Sequence, residues 1–261
     1  MDIVLIGSGN VATVIGRKSL AAGHRIVQVY SPNNAHANEL AVRLGTNSTS
    51  YVSSIEKKAD LTIIALRDDV VSAFVQQAGK INSTLIHTAG SLSIDVLRNS
   101  SNLSFGVLYP LQSLKKEIDI LPALSILVDG NNDISLGAIK EFANTIAEMV
   151  SEADDVTRLK YHLTATMVNN FTNYLFTLAA SFCEKENISF SLLQPLIEET
   201  VMRLRTTAPH LAQTGAAIRN DVLTIQKHRE LLDQYPRISK FYNLFTEEIQ
   251  KSIQTSSAQK L

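Results

Sequence analysis

Gly7-Ser8-Gly9-Asn10-Val11-Ala12 follows directly on the apolar run Ile3–Ile6. In a G-x-G-x-x-A turn between a strand and a helix, the first glycine permits the tight turn. The second lets a pyrophosphate approach the backbone, and the small third residue lets the helix pack closely on the strand. The phosphate then rests on free N–H groups at the helix start, where the dipole contributes about 0.3–1 kcal/mol or more. Gly7, Ser8, Gly9, Asn10, Val11 and Ala12 are therefore candidate cofactor-binding residues, and the ligand they suit is a dinucleotide.

The end of the second apolar run, Arg25–Tyr30, bears on which dinucleotide. An NAD site places Asp or Glu there, about 20 residues on, to hold the ribose 2′-hydroxyl. Here the sequence is Tyr30-Ser31-Pro32-Asn33-Asn34, and the next carboxylate is Glu39. No anion would repel a 2′-phosphate, and Ser31, Asn33 and Asn34 offer donors, which favours NADP. An arginine within the turn is missing, since Arg25 and Arg43 lie outside it, so NAD stays open. The same residues also suit an ordinary turn.

Other polar groups fall at the carboxyl ends of later runs, where open α/β sheets bind ligands. Leu61–Leu66 leads into Arg67-Asp68-Asp69, Thr84–Thr88 into Ala89-Gly90-Ser91, and Ser104–Leu108 into Tyr109-Pro110-Leu111-Gln112-Ser113. Ser91 can hydrogen-bond a substrate carbonyl, or be a plain turn serine. His87 reads equally as structural or catalytic. Tyr109, held extended by Pro110, suits a wall of the site. One of Asp68 and Asp69 suits a helix cap.

On a helix starting near Val156, Arg158, His162, Thr166, Asn169 and Asn173 share one face. Short neutral hydrogen-bonding groups suit a half-buried surface. They line either a substrate cleft or a polar seam between two copies of the helix. His162 is the evident proton donor to a carbonyl or imine near neutral pH. Asn169 and Asn170 join Ser91 as groups to orient the substrate. No His-Glu-x-x-His, cysteine pair or Gly-x-Ser-x-Gly turn occurs, so neither a metal site nor acyl-enzyme chemistry is expected.

The elements that position these groups follow from periodicity. To about Glu152, β-rich runs alternate with helical stretches at Val11–Ala22, Ala35–Leu44, Val70–Lys80 and Ser135–Ala147, the pattern of a parallel sheet covered on both faces. Leu124–Val128 is a further run. A helical segment free of Gly and Pro then runs from Val156 to Lys185. Ser191–Gln194 resembles a capping box with Pro195 in the first turn of the helix it opens. One of Asn220 and Asp221 caps a further helix, Gly215 and Pro236 punctuate two more stretches, and Gln254–Leu261 is expected to fray. The expected fold is α/β: a Rossmann-type doubly wound parallel sheet in residues 1–152, then an all-helical domain in residues 153–261.

Composition sets outer bounds. The chain of 261 residues is 45% hydrophobic, enough to bury a core, and its formal net charge of −1 gives no general attraction to nucleic acid or anionic membranes. No apolar run reaches the ~18 residues of a bilayer span, and no basic segment precedes the first strand as a signal peptide requires. The single Cys183 suits a reducing compartment. These features predict a soluble, cytoplasmic protein.

GSGNVATVIG, HTAGS, GVLYPLQSLKK, RLKYHLTATMVNNFTNYL and QTGAAIRND resemble the Rossmann-like NADP oxidoreductases that carry a DUF2520 C-terminal domain. That family is similar in plan to pyrroline-5-carboxylate reductase and to the 6-phosphogluconate and β-hydroxyacid dehydrogenases. The resemblance spans nearly the whole chain. It implies an N-terminal NADP domain, a helical domain that forms a homodimer, and a site between the two. By position, Gly7, Gly9, Asn10, Val11 and Ala12 match the phosphate turn, and Ser31 the ribose-phosphate end. Leu66, Arg67 and Asp68 match the segment that passes the nicotinamide. His162 and Thr166 have the spacing of the lysine and asparagine of the hydroxyacid dehydrogenases.

The function expected is NADP-dependent hydride transfer to a small carbonyl or imine, carboxylated in the simplest reading. The alternative is a non-catalytic NADP-binding module, a redox sensor or dimeric scaffold, in which the helix stripe is interface.

Overall fold

The computed structural model describes residues 1–98, 102–117 and 119–258. The chain forms two compact units, one ending at Phe171 and one beginning at Thr172.

The first unit contains β1 (Asp2–Ile6), α1 (Asn10–Ala21), β2 (Arg25–Tyr30), α2 (Asn34–Leu44), β3 (Asn47–Thr49) and β4 (Leu61–Ile64). Then come α3 (Asp68–Ala78), β5 (Thr84–His87), β6 (Phe105–Pro110), β7 (Ser125–Gly130), α4 (Asp133–Ile146), β8 (Met149–Glu152) and α5 (Asp155–Ala165). The strands form one sheet in the order β3-β2-β1-β4-β5-β6-β7-β8. The chain reverses direction across the sheet between β1 and β4, which places the ligand crevice of such folds above that pair.

Residues along β1 alternate between the two faces. Leu5 packs with Ile15, Leu44, Ile63 and Leu108 on one side. Val4 and Ile6 pack with Ile64, Val71, Phe74 and Leu97 on the other. Both faces of the central strands are covered, so those strands are largely apolar, with Thr62 and His87 the buried polar exceptions. Burial of each such side chain stabilises the fold by about 1.5–3 kcal/mol. Register aligns the strand ends: Ile6 pairs with Tyr30 and Ile64, and Ile64 with His87. The glycine turn, Ser31, Leu66 and the Thr88–Ser91 loop therefore leave the sheet along one edge.

The sheet is mixed where the sequence predicts parallel. β7 runs antiparallel to β6, and the described residues of the connection between them form no helix. Antiparallel neighbours need no crossover helix, whereas parallel ones do. The short edge strands β3 and β8 carry no alternating apolar signal; pairing with β2 and β7 makes them strands.

The long helix expected over Val156–Lys185 is interrupted. α5 ends at Ala165, a wider π turn occupies Thr166–Phe171, and α6 (Thr172–Lys185) continues beyond it. The even 3.6-residue spacing of the stripe therefore stops at Thr166, and Asn173 belongs to the second unit.

That unit holds α6, α7 (Gln194–Arg203), α8 (Val222–Leu231) and α9 (Pro236–Ala258). Ser191 does not cap α7. Its hydroxyl bonds that of Ser189 at 2.7 Å, and Leu193 precedes the helix with Pro195 in its first turn. Asp221 caps α8, accepting from the Thr224 N–H at 3.1 Å. The tail expected to fray from Gln254 remains helical to Ala258, and residues 259–261 lie outside the described residues. Among the described residues, no helix is long and apolar enough to cross a membrane.

Candidate active site

The glycine turn has the strand-to-helix geometry that its spacing predicts. Gly7 has φ +120°, and a Cβ there would lie 2.3 Å from the carbonyl oxygen of Ala65. Only glycine meets both demands. Ala12 is fully buried, while Val11 is half-buried against the core. At Gly9 a Cβ would meet nothing within 4 Å, so the space over the turn is open. The start of α1 has no side-chain cap and no acidic residue in its first turn. Its first N–H groups have no partner within the helix, as at any helix start. Open space above uncapped donors fits a diphosphate. Asn10, the first residue of α1, accepts from the Lys116 N–H at 3.1 Å and so ties the connection after β6 to this turn.

At the neighbouring strand end, Ser31 is buried and its hydroxyl accepts from Ser8 at 3.0 Å. Asn33 caps α2, accepting from the His36 N–H at 3.2 Å, and Asn34 opens that helix exposed. Cations absent from this stretch of sequence reach it through the fold. Ser8 shares a crevice with Thr13, His36, Glu39, Arg43 and Lys116. Arg43 and Lys116 stand 3.8 and 3.9 Å from Glu39, and Arg43 also donates to the Lys116 carbonyl at 3.1 Å.

Leu66 lies against the glycine turn, with its Cδ2 3.5 Å from where a Gly7 Cβ would be. Arg67 is exposed and paired with Asp69 at 2.7 Å. Asp68 is the first residue of α3 rather than its cap; its carboxylate accepts a short hydrogen bond from the hydroxyl of Ser91. Ser91 therefore has its hydroxyl proton already engaged.

A cavity of about 460 Å³ is lined by Tyr109, Gln112, Ser113, His162, Asn169 and Asn170, among others. Thr166 from the stripe also lines it, but Arg158 does not. Arg158 is only 1% exposed; it pairs with Asp155 at 2.6 Å and donates to the Leu92 carbonyl. Asp155 in turn accepts from the Ile94 N–H at 3.0 Å, so α5 is bolted to the loop that carries Ser91. The π turn presents the adjacent Asn169 and Asn170 to the same cavity, and such turns recur at functional sites.

Tyr109 is more than a wall. Its hydroxyl is 2.9 Å from Nδ1 of His162, and the rings meet edge to face at 5.8 Å between centroids. Burial, then the charge of Asp68, raises the Tyr109 phenol above its ordinary value, with Arg158 opposing. Gly90 makes room for the pair, since a Cβ there would lie 2.7 Å from His162 Nδ1 and 2.8 Å from the Tyr109 ring. Sequence spacing gives no sign of this meeting; the glycine of HTAGS, beside a strand end, was the one available signal.

His87 is fully buried, and its Nδ1 accepts from the Ala89 N–H at 3.2 Å. Burial, reinforced by the charge of Arg158, lowers its pKa to about 4. It is therefore a neutral structural histidine. Among the described residues, no three His, Cys, Asp or Glu side chains gather to hold a metal ion.

Residues 2–95 match the family model described as NADP oxidoreductase coenzyme F420-dependent, and residues 124–249 match that of the domain of unknown function DUF2520. A Bacteroides fragilis protein named as a candidate NADP oxidoreductase is 32% identical, with a TM-score of 0.88 over 96% of this chain and 98% of that one. The fold is also similar to 1-pyrroline-5-carboxylate reductase from Streptococcus pyogenes, 13% identical, TM-score 0.66, covering 96% of this chain and 98% of the other. An imine reductase from Myxococcus stipitatus, in complex with NADP+, is 13% identical with a TM-score of 0.63, covering 98% and 95%. No curated protein matches in sequence. With its glycine cradle, its two matched domains and a relative of this identity over nearly its full length, the chain belongs to the NADP oxidoreductases that join an F420-dependent-type N-terminal domain to a DUF2520 domain.

Proposed function

We propose that this protein is an NADP-dependent oxidoreductase that reduces a small carbonyl or imine. The observation that carries this reading is the cavity where His162, Asn169 and Asn170 from the α5 and π-turn segment meet Tyr109 from the end of β6. Residues 1–152 supply the dinucleotide fold and one wall of the cavity, and residues 153–261 its other wall and the dimer surface. Bound NADPH supplies the hydride. His162, in its charged form, gives a proton to the oxygen or nitrogen that becomes negative, as a positioned general acid. Asn169 and Asn170 orient the substrate by neutral hydrogen bonds. Ser91, held by Asp68, offers its oxygen lone pairs as acceptors to a polar N–H or O–H. The cavity lining in this unit carries no charged side chain apart from the ionisable His162 ring, which favours a neutral substrate over a carboxylated one.

NADP is favoured over NAD because His36, Arg43 and Lys116 gather beside Ser8, whose hydroxyl bonds Ser31. A homodimer is the reading that the second unit's own surface supports. Its buried apolar residues are few, Leu178, Cys183, Ile225 and Leu232 among them, while Leu192, Leu196, Leu211 and Leu223 are each at least 64% exposed. Apolar surface on that scale marks an interface between protein surfaces.

The test is direct binding of NADPH and NADH, followed by NADPH oxidation with a panel of cyclic imines, ketones and keto acids. Turnover that drops at least a hundredfold in His162→Ala supports the assignment. Full turnover in that variant rejects it. Tight NADPH binding with no turnover across the panel would favour a redox-sensing or scaffold role.

A further inference from the structure

The cavity contains one side chain whose task is not explained by lining it. Tyr109 leaves the end of β6 half-buried and meets His162 at Nδ1, 2.9 Å away. An imidazole has two nitrogens, and a partner on one decides how the other is used. Three separate segments converge to make this contact: Tyr109 from β6, His162 from α5 and Gly90 from the loop after β5. The space at Gly90 is so tight that a methyl group would overlap both rings. One turn earlier on α5, buried Arg158 fixes the helix to the Leu92 carbonyl. The ring of His162 is thus held from the sheet side by an oxygen and from its own helix by a buried anchor.

We propose that Tyr109 is the positioning residue of His162, holding Nδ1 so that Nε2 is the nitrogen that exchanges protons with substrate. This rests on His162 being the proton donor. In the reducing direction the Nε2–H bond breaks as the new O–H or N–H bond of the product forms, and the electron pair of the broken bond stays on the ring. The imidazolium becomes neutral imidazole, with its remaining proton on Nδ1 shared with the phenol oxygen. Tyr109 keeps its own proton throughout. Its raised pKa agrees with that, because burial disfavours a tyrosinate here. A hydronium ion from solvent then returns a proton to Nε2, the one proton that the overall reduction consumes.

Tyr109→Phe deletes only the oxygen and keeps the ring contact, so the fold is expected to survive. Protein carrying isotopically labelled histidine is read by proton–nitrogen correlation, and turnover is followed with NADPH and methylpyrroline, a cyclic imine. The expected result is a shifted Nδ1 resonance and altered tautomer ratio at His162. It is accompanied by a loss of about tenfold to a hundredfold in kcat, with KM changed less than about twofold. The double variant Tyr109→Phe/His162→Ala should be no slower than His162→Ala alone, since residues acting as a unit are not additive. An unchanged His162 spectrum, or a double variant that multiplies the two losses, overturns the positioning role. Full turnover in His162→Ala overturns the proton-donor reading itself, and this proposal with it. The two failures are therefore told apart.

Discussion

Ser8 in the glycine turn donates its hydroxyl to Ser31 at the end of β2, 3.0 Å away and 23 residues on. The bond joins the phosphate cradle to the strand end that faces the adenosine ribose in dinucleotide folds. Around it stand His36 and Arg43 from α2 and Lys116 from the connection after β6. The corner proposed to read the 2′ position is therefore assembled from three stretches of sequence.

Lys116→Ala should weaken NADPH binding about tenfold and leave NADH binding within about twofold, the loss expected for one charge-assisted contact to a phosphate. Fluorescence titration of both reduced cofactors checks it. Equal loss for the two would place Lys116 away from the 2′-phosphate.

Gly7 and Gly9 should respond differently to the same substitution. Gly7→Ala forces a Cβ against the Ala65 carbonyl at φ +120° and should lower stability by about 2 kcal/mol or more. Gly9→Ala meets no protein atom within 4 Å, so its melting temperature should hold while NADPH affinity falls. Calorimetry with cofactor titration separates the two effects. A Gly9→Ala protein that binds NADPH normally would contradict the diphosphate cradle.

His87 should make folding stability depend on acidity. Its pKa lies at about 4 in the folded protein, against an ordinary value of 6.5, so the unfolded chain binds the extra proton first. Its contribution is complete above about pH 6.5, declines as pH falls, and is gone near pH 4. That separation is worth about 3 kcal/mol. Denaturant melts of the native protein and His87→Gln across this window should converge as pH falls. A constant gap between them would show that His87 is not neutral when folded.

The protein should sediment and scatter light as a particle of twice its 28.6 kDa chain mass. Leu196→Glu with Leu223→Glu should lower that mass and the melting temperature together. A stable monomer at high concentration would refute the dimer.

Much of the fold was legible in the chain. The apolar runs gave the central strands, because residues covered on both faces leave no room for polar alternation. G-x-G-x-x-A located the glycine turn between β1 and α1, since backbone geometry there limits which residues fit. The reversal of β7, the edge strands β3 and β8, and the π turn at Thr166–Phe171 were not legible. Each depends on what pairs or packs beside it.

The sequence by itself determined the glycine cradle, the strand-and-helix alternation and the presence of His162 near polar neighbours, because these are local consequences of residue type and spacing. Only the tertiary structure decided that Arg158 is a buried anchor, that Lys116 and Arg43 stand beside Ser8, and that Tyr109 meets His162. Tyr109 and His162, 53 positions apart, meet through sheet register and helix packing. Spacing along a chain does not encode such distances.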